Sequence, residues 1–134
     1  MKVLMHSDGG ANVGLGHASR CSALFAAFTR AGHLSQVLIE PSSELAEYLS
    51  RLEVPHIEGP ANPASLCVQA DRMKADVVII DSYRWSETDF VELRQNGRPV
   101  VVFDDLGKRK LPVDAVINGA PSAFELPYKV LPHT

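Results

Sequence analysis

Apolar residues in this chain come in short runs that alternate with stretches of helical period. Val3 to Met5, Gln36 to Glu40, Val54 to Glu58, Asp76 to Asp81, Pro99 to Asp104 and Asp114 to Asn118 each have the length and β-branched content of a buried strand. Pro55 weakens the third of these, because proline cannot donate to a sheet ladder. Between the first two runs, Cys21, Leu24, Phe25 and Phe28 fall at i, i+3, i+4 and i+7, so they share one helical face that Gly32 brings to a stop. Pro41-Ser42-Ser43 opens a second helix with Leu45, Leu49 and Leu52 on one side. Asn62-Pro63 is a cap followed by an N1 proline for a helix to about Lys74, and Ser86 to Asp89 is a capping box for one ending at Gly97. Strands alternating with helices predict an α/β fold: a Rossmann-like parallel sheet flanked by helices.

From Gly119 the alternation fails. Pro121, Pro127 and Pro132 forbid a long helix there. The expected division is therefore a Rossmann-like domain over 1–120 and, over 121–134, a Pro-containing tail or the start of a linker.

At 134 residues, with 46% hydrophobic and 22% charged side chains, the chain has the size and balance of one globular domain. A net charge of −3 supplies no footprint for nucleic acid or an anionic membrane, and no apolar run approaches a membrane-spanning length. Lys108, Arg109 and Lys110 form the one basic cluster, expected as a solvated loop. Cys21 and Cys67 stand far apart inside predicted helices, with no closely spaced Cys/His set. They are expected as reduced, space-filling thiols of a cytoplasmic protein, without a metal site.

Candidate chemistry collects at the carboxyl ends of the predicted strands, where open α/β sheets bind their ligands. Asp8 and a glycine loop follow the first strand. Asp81, Ser82, Tyr83 and Arg84 follow the fourth run, Asp104 and Asp105 the fifth, and Asn118 the last. The loop carries Gly9, Gly10, Gly14 and Gly16 and delivers His17 to the start of the first helix, a point suited to an anion. The helix dipole there favours a neutral imidazole able to act as a base. Arg20, one turn on, is placed to reach a phosphate or to pair with Asp8. Tyr83 is placed to bond a sugar or orient His17, and Trp85 to pack. His6, His33, His56 and His133 have surface or structural settings. Two commoner motifs fit poorly. The dinucleotide fingerprint has Ser19 in its third glycine position, with Glu40 as the ribose-binding acid, and a P-loop would need Lys-Ser/Thr where Leu15-Gly16 stands.

The stretch from His6 to His33, with Asp8, Gly14, Gly16, His17 and Arg20, resembles the opening of the PseG-like UDP-sugar hydrolases of pseudaminic acid biosynthesis. That group is related to SpsG-type proteins and MurG-type glycosyltransferases. The blocks ending in Tyr83, Asp104-Asp105 and Asn118 match in order, so the resemblance runs over most of the chain. It implies the N-terminal domain of a GT-B-like fold that hydrolyses UDP-2,4-diacetamido-2,4,6-trideoxy-β-L-altropyranose, or a similar UDP-linked amino sugar, without a cofactor or required metal. His17 matches the residue that activates water, and Tyr83 one that assists. Asp8, Gly14, Gly16, Arg20, Asp81, Asp105 and Asn118 are the expected substrate-binding positions. The family's UDP-binding groups come largely from a second domain, in cis or in trans, so this chain is expected to carry the base but not the nucleotide site. His6-Ser7 stands where many members have an Arg before the aspartate. Two other readings remain open: the acceptor domain of a MurG-like glycosyltransferase, and a non-catalytic binding module.

Overall fold

A computed structural model describes residues 1–10 and 13–128; the expectations placed on Pro132 and His133 lie outside the described residues. The expected architecture is present. Six strands, β1 (Lys2–Ser7), β2 (Leu34–Ile39), β3 (His56–Glu58), β4 (Val77–Asp81), β5 (Val100–Phe103) and β6 (Ala115–Ile117), form one sheet in the order β3-β2-β1-β4-β5-β6. Every pairing is parallel. Four helices connect them: α1 (Gly16–Arg30), α2 (Ser43–Arg51), α3 (Pro63–Met73) and α4 (Glu87–Arg94).

Successive side chains of a strand point to opposite faces, and both faces here are covered. Val3 and Met5 of β1, Val37 and Ile39 of β2 and Ile79 of β4 pack with Ala18 and Cys21 of α1 and Leu45 and Leu49 of α2. Leu4, Leu38, Val78, Ile80, Val100 and Val102 pack on the other side with Leu66 and Ala70 of α3 and Phe90 and Leu93 of α4. Burial pushes the Cys21 thiol up to about 12, so it is an inert filler at neutral pH.

The local signals hold where a side chain enforces them. Asn62 and Ser86 cap α3 and α4 through their side chains, and Asp89 completes the capping box. Gly32, at φ 81°, ends α1. Boundaries move where the tertiary context intervenes. β1 runs on through His6 and Ser7 because β2 and β4 flank it on both sides. β3 begins only after Pro55, whose carbonyl nevertheless accepts from Val37 N–H. Leu52 lies at the C-cap of α2 and is exposed, off the expected apolar face.

No helix joins β5 to β6. In place of a crossover helix, the connection over 104–114 buries Leu111 and Val113 against the α3/α4 side of the sheet. Among the described residues beyond β6 there is one 3-10 turn (Ala123–Glu125), and Tyr128 packs against that same core. Trp85 is buried as expected, tilted against Phe90 and His6.

Phe90 is fully buried and Phe124 fully exposed, which separates packing from hydrophobicity as such. Phe90→Ala is expected to cost about 3–5 kcal/mol, read as a lower urea midpoint. Phe124→Ala should stay within about 0.5 kcal/mol of the parent.

Candidate functional site

The strand order reverses between β1 and β4, and the carboxyl ends of those two strands face a common mouth. Ser7 of β1 pairs with Asp81 of β4, and Asp8 N–H donates to the Asp81 carbonyl, so the two aspartates leave the sheet side by side. Gly10 and Gly14 then pair in an isolated antiparallel bridge. A Cβ at Gly9 would come within 2.9 Å of Leu45, and Gly10 has φ 118°, so this tight return excludes larger residues. Gly14 and Gly16 have open space where a side chain would stand. The loop ends at Leu15, the N-cap of α1, which supplies no side-chain acceptor.

Asp81 organises one wall of this mouth. It is fully buried, and His17 Nδ1 lies 2.6 Å from its Oδ1. Arg20 closes on it side-on, Nε to Oδ2 and Nη2 to Oδ1, both at 2.7 Å. The third guanidinium nitrogen, Nη1, reaches both oxygens of Asp105 at 3.2 and 3.3 Å, and the Arg20 plane lies 4.4 Å over the Phe103 ring. Tyr83 Oη donates to Asp105 Oδ2 at 2.6 Å, and its ring meets His17 edge-on at 5.0 Å. Side chains from α1, the β4 end and the β5 end thus form one closed chain around a cleft of about 330 Å³. It is lined by Val13, Gly16, His17, Arg20, Tyr83 and Asp105.

This geometry reverses one expectation about His17. The neutral ring was expected from the helix dipole, but the hydrogen bond to Asp81 outweighs the burial that opposes it and raises the imidazole above its ordinary 6.5. The Asp105 bond pushes Tyr83 up to about 12, keeping it a phenol at neutral pH. Burial raises the Asp105 carboxyl, but the bonds from Tyr83 and Arg20 prevail and hold it below the usual carboxylate value.

Of the expected site residues, Gly14 does not line this cleft, Asp8 and Asn118 lie elsewhere, and Arg20 has different partners. Asp8 is turned inward: Ser82 Oγ donates to its Oδ2 at 2.6 Å, Arg84 Nη2 to its Oδ1 at 2.8 Å, and His6 Nε2 stands 3.4 Å away. Burial alone would raise its pKa, but these three partners together keep it ionised well below the ordinary range. Arg20 accordingly pairs with Asp81 and Asp105 and not with Asp8, because Arg84 occupies that carboxylate. Asn118 is on a separate cleft beside β6, where its Nδ2 donates to Tyr128 Oη at 2.9 Å.

Arg109 is the functional-end residue that sequence reasoning missed. It is not a solvated loop charge: it binds Asp104 Oδ1 at 3.1 Å and the Ser82 carbonyl at 2.8 Å, bracing the segment that carries Tyr83. Asp104, fully buried, also accepts from Gly107 N–H and Tyr128 Oη. The available signal was the spacing of Asp104 and Arg109 across a single glycine-containing turn. Among the described residues, no group of three or more His, Cys, Asp or Glu side chains is placed to hold a metal ion. No helix among them is long and apolar enough to cross a membrane.

The six-stranded parallel sheet with its flanking helices is a Rossmann-like α/β fold that resembles a domain of the GT-B protein MurG. The crystal structure of Acinetobacter baumannii MurG shares this fold, with a TM-score of 0.57 over 76% of this chain at 16% identity. The chain spans about a third of that protein, 34% of its length. Neither the known protein-family models nor the curated proteins match the sequence.

A raised His17 pKa has a definite sign. The protonated ring contributes stability that is complete below the unfolded-state value of about 6.5 and is lost as pH rises through the higher folded value. NMR titration of the His17 ring should therefore give a midpoint above 6.5. In Asp81→Asn the midpoint should fall by about one unit or more; an unchanged midpoint would show that the ion pair does not set it.

Proposed function

We propose that this chain is the sugar-side domain of a nucleotide-sugar hydrolase of the PseG-like kind, acting on a UDP-linked amino sugar. The observation that carries the reading is the His17–Asp81 pair at 2.6 Å on the wall of the cleft. With Nδ1–H committed to Asp81, the neutral ring has Nε2 as its proton acceptor, the tautomer a general base requires. Water then attacks the anomeric carbon and its proton passes to His17 Nε2. The bond from that carbon to the diphosphate oxygen breaks, and UDP leaves with the electron pair.

Charge at the mouth supports placing the sugar here and the diphosphate elsewhere. Arg20, Arg84 and Arg109 each already bind carboxylates, and the five acids Asp8, Glu40, Asp81, Asp104 and Asp105 outnumber them. A diphosphate would meet no free cation among these three. A sugar would meet acceptors suited to its hydroxyl and amide donors: Tyr83 Oη, whose own proton goes to Asp105, and Asp105 itself. Arg20 is in this reading a positioning residue, and Asp8 acts by holding Ser82 and Arg84 on either side of Tyr83. The nucleotide falls to a second α/β domain, in cis or in trans.

The MurG likeness favours a second reading, in which the same base activates an acceptor hydroxyl instead of water. The two separate in one assay. Protein carrying this domain, given the UDP-linked diacetamido sugar and no acceptor, should release UDP and free sugar. His17→Ala should slow release by about a hundredfold or more. A UDP-sugar that stays intact until an acceptor is added would establish the transferase, and full turnover by His17→Ala would rule out His17 as the base.

A further inference from the structure

Asn118 does not line the His17 cleft, yet its side chain is fixed at both ends. Its Oδ1 accepts the Ala120 N–H at 2.8 Å, which turns the amide so that Nδ2 donates to Tyr128 Oη at 2.9 Å. A phenol carries one proton. With Asn118 donating to the oxygen, the Tyr128 proton goes to Asp104, whose Oδ2 lies 2.8 Å away and whose carbonyl lies 2.9 Å away. Burial of the phenol, and then its bond to Asp104, raise the Tyr128 pKa, so it stays a donor at neutral pH. Burial would raise the Asp104 carboxyl, but bonds from Gly107, Tyr128 and Arg109 hold it below its ordinary value, as a carboxylate.

Asp104 reaches Tyr83 by two routes. Its Oδ1 takes Arg109 side-on, Nη2 at 3.1 Å and Nε at 3.3 Å. The remaining nitrogen, Nη1, donates at 2.8 Å to the Ser82 carbonyl, the oxygen of the peptide bond that joins Ser82 to Tyr83. The Arg109 guanidinium also lies 5.7 Å from the centre of the Tyr83 ring. The second route is the chain itself: Asp105, the next residue, accepts the Tyr83 hydroxyl at 2.6 Å. Residues 104 and 105 thus hold both the backbone and the hydroxyl of Tyr83. Among the described residues, Tyr128 is the donor to Asp104 that comes from beyond β6.

We propose that Tyr128 and Asn118 are positioning residues for Tyr83: the chain Asn118–Tyr128–Asp104–Arg109 sets where Tyr83 stands against His17 and the sugar. Neither residue lines the cleft. The assignment rests on the hydrolase reading for the sugar. For the placement it rests only on the Tyr83 ring, which meets His17 edge-on at 5.0 Å. Tyr128→Phe is the direct probe, because it deletes one oxygen and keeps the ring that packs against the α3/α4 core. Without that oxygen Asn118 loses its acceptor and Asp104 loses a donor. The Arg109 fork is then drawn toward the vacated Oδ2 and away from the Ser82 carbonyl. A shift of about an ångström in a positioned group is enough to slow a reaction tenfold or more.

Two readouts separate placement from stability. The first is the set of aromatic NOE cross-peaks between Tyr83 and His17, recorded on this chain at a temperature where each variant is fully folded. They should weaken in Tyr128→Phe and, to a smaller extent, in Asn118→Ala. The double variant should match Tyr128→Phe, because Asn118 acts only through the phenol. The second is turnover of the UDP-linked diacetamido sugar by protein carrying this domain, where kcat/KM should fall by about tenfold in Tyr128→Phe. Asn118→Ala leaves Tyr128 in place and decides the matter alone if Tyr128→Phe does not fold. Cross-peaks or kcat/KM unchanged in folded variants, whatever the melting temperature, make Tyr128 a packing residue and overturn the proposal. Cross-peaks that weaken in variants of a parent that releases no sugar uphold the placement and reject the hydrolase reading instead.

Discussion

Asp81 is a carboxylate with no exposed surface at the end of a central strand, and a charge in that position is stable only with partners on every side. Its two oxygens take His17 and two nitrogens of the Arg20 fork, so the cost of burial is met by three charge-assisted contacts from one turn of α1. The requirement has consequences beyond the pair. It sets how α1 is rotated against the sheet, holds the histidine to one tautomer, and sends the remaining Arg20 nitrogen across to Asp105. Tyr83 is then drawn in by Asp105. The cleft wall depends on a single buried charge.

Two further buried acids repeat the device on either side. Asp8 gathers Ser82, Arg84 and His6, and Asp104 gathers Gly107, Arg109 and Tyr128. Ser82 and Arg109 bring both networks onto the short segment after β4, so Tyr83 stands on a backbone braced from two directions. Because Arg20, Arg84 and Arg109 are all committed to the bracing, the mouth is rich in acceptors and poor in free positive charge.

Much of the fold was legible in the chain because its signals are local. Strand and helix were separated by period, and the caps at Asn62 and Ser86 and the stop at Gly32 each depend on a residue's own backbone or its neighbour three positions on. The Rossmann-like sheet followed from the alternation of elements. The candidate site was legible in part. His17, Tyr83, Arg20, Asp81 and Asp105 were singled out by their places after strands, and the structure brings these five together around one cleft. Asp8 and Asn118 carried the same positional signal yet face other partners. A strand-end residue emerges beside its neighbours, and nothing local says whether it turns inward or toward the mouth.

By itself, then, the sequence determined the elements, the parallel architecture and the end of the sheet where polar chemistry gathers, since periodicity, capping and strand-end placement are short-range properties. Only the tertiary structure decided the pairings among charges. Which of four aspartates takes which arginine depends on contacts between residues up to 85 positions apart, as with Arg20 and Asp105. The same contacts decided that His17 binds its proton more tightly than an isolated imidazole and that Arg109 is a brace and not a solvated charge. Each of these depends on the distance and solvent access of groups that the chain itself keeps far apart.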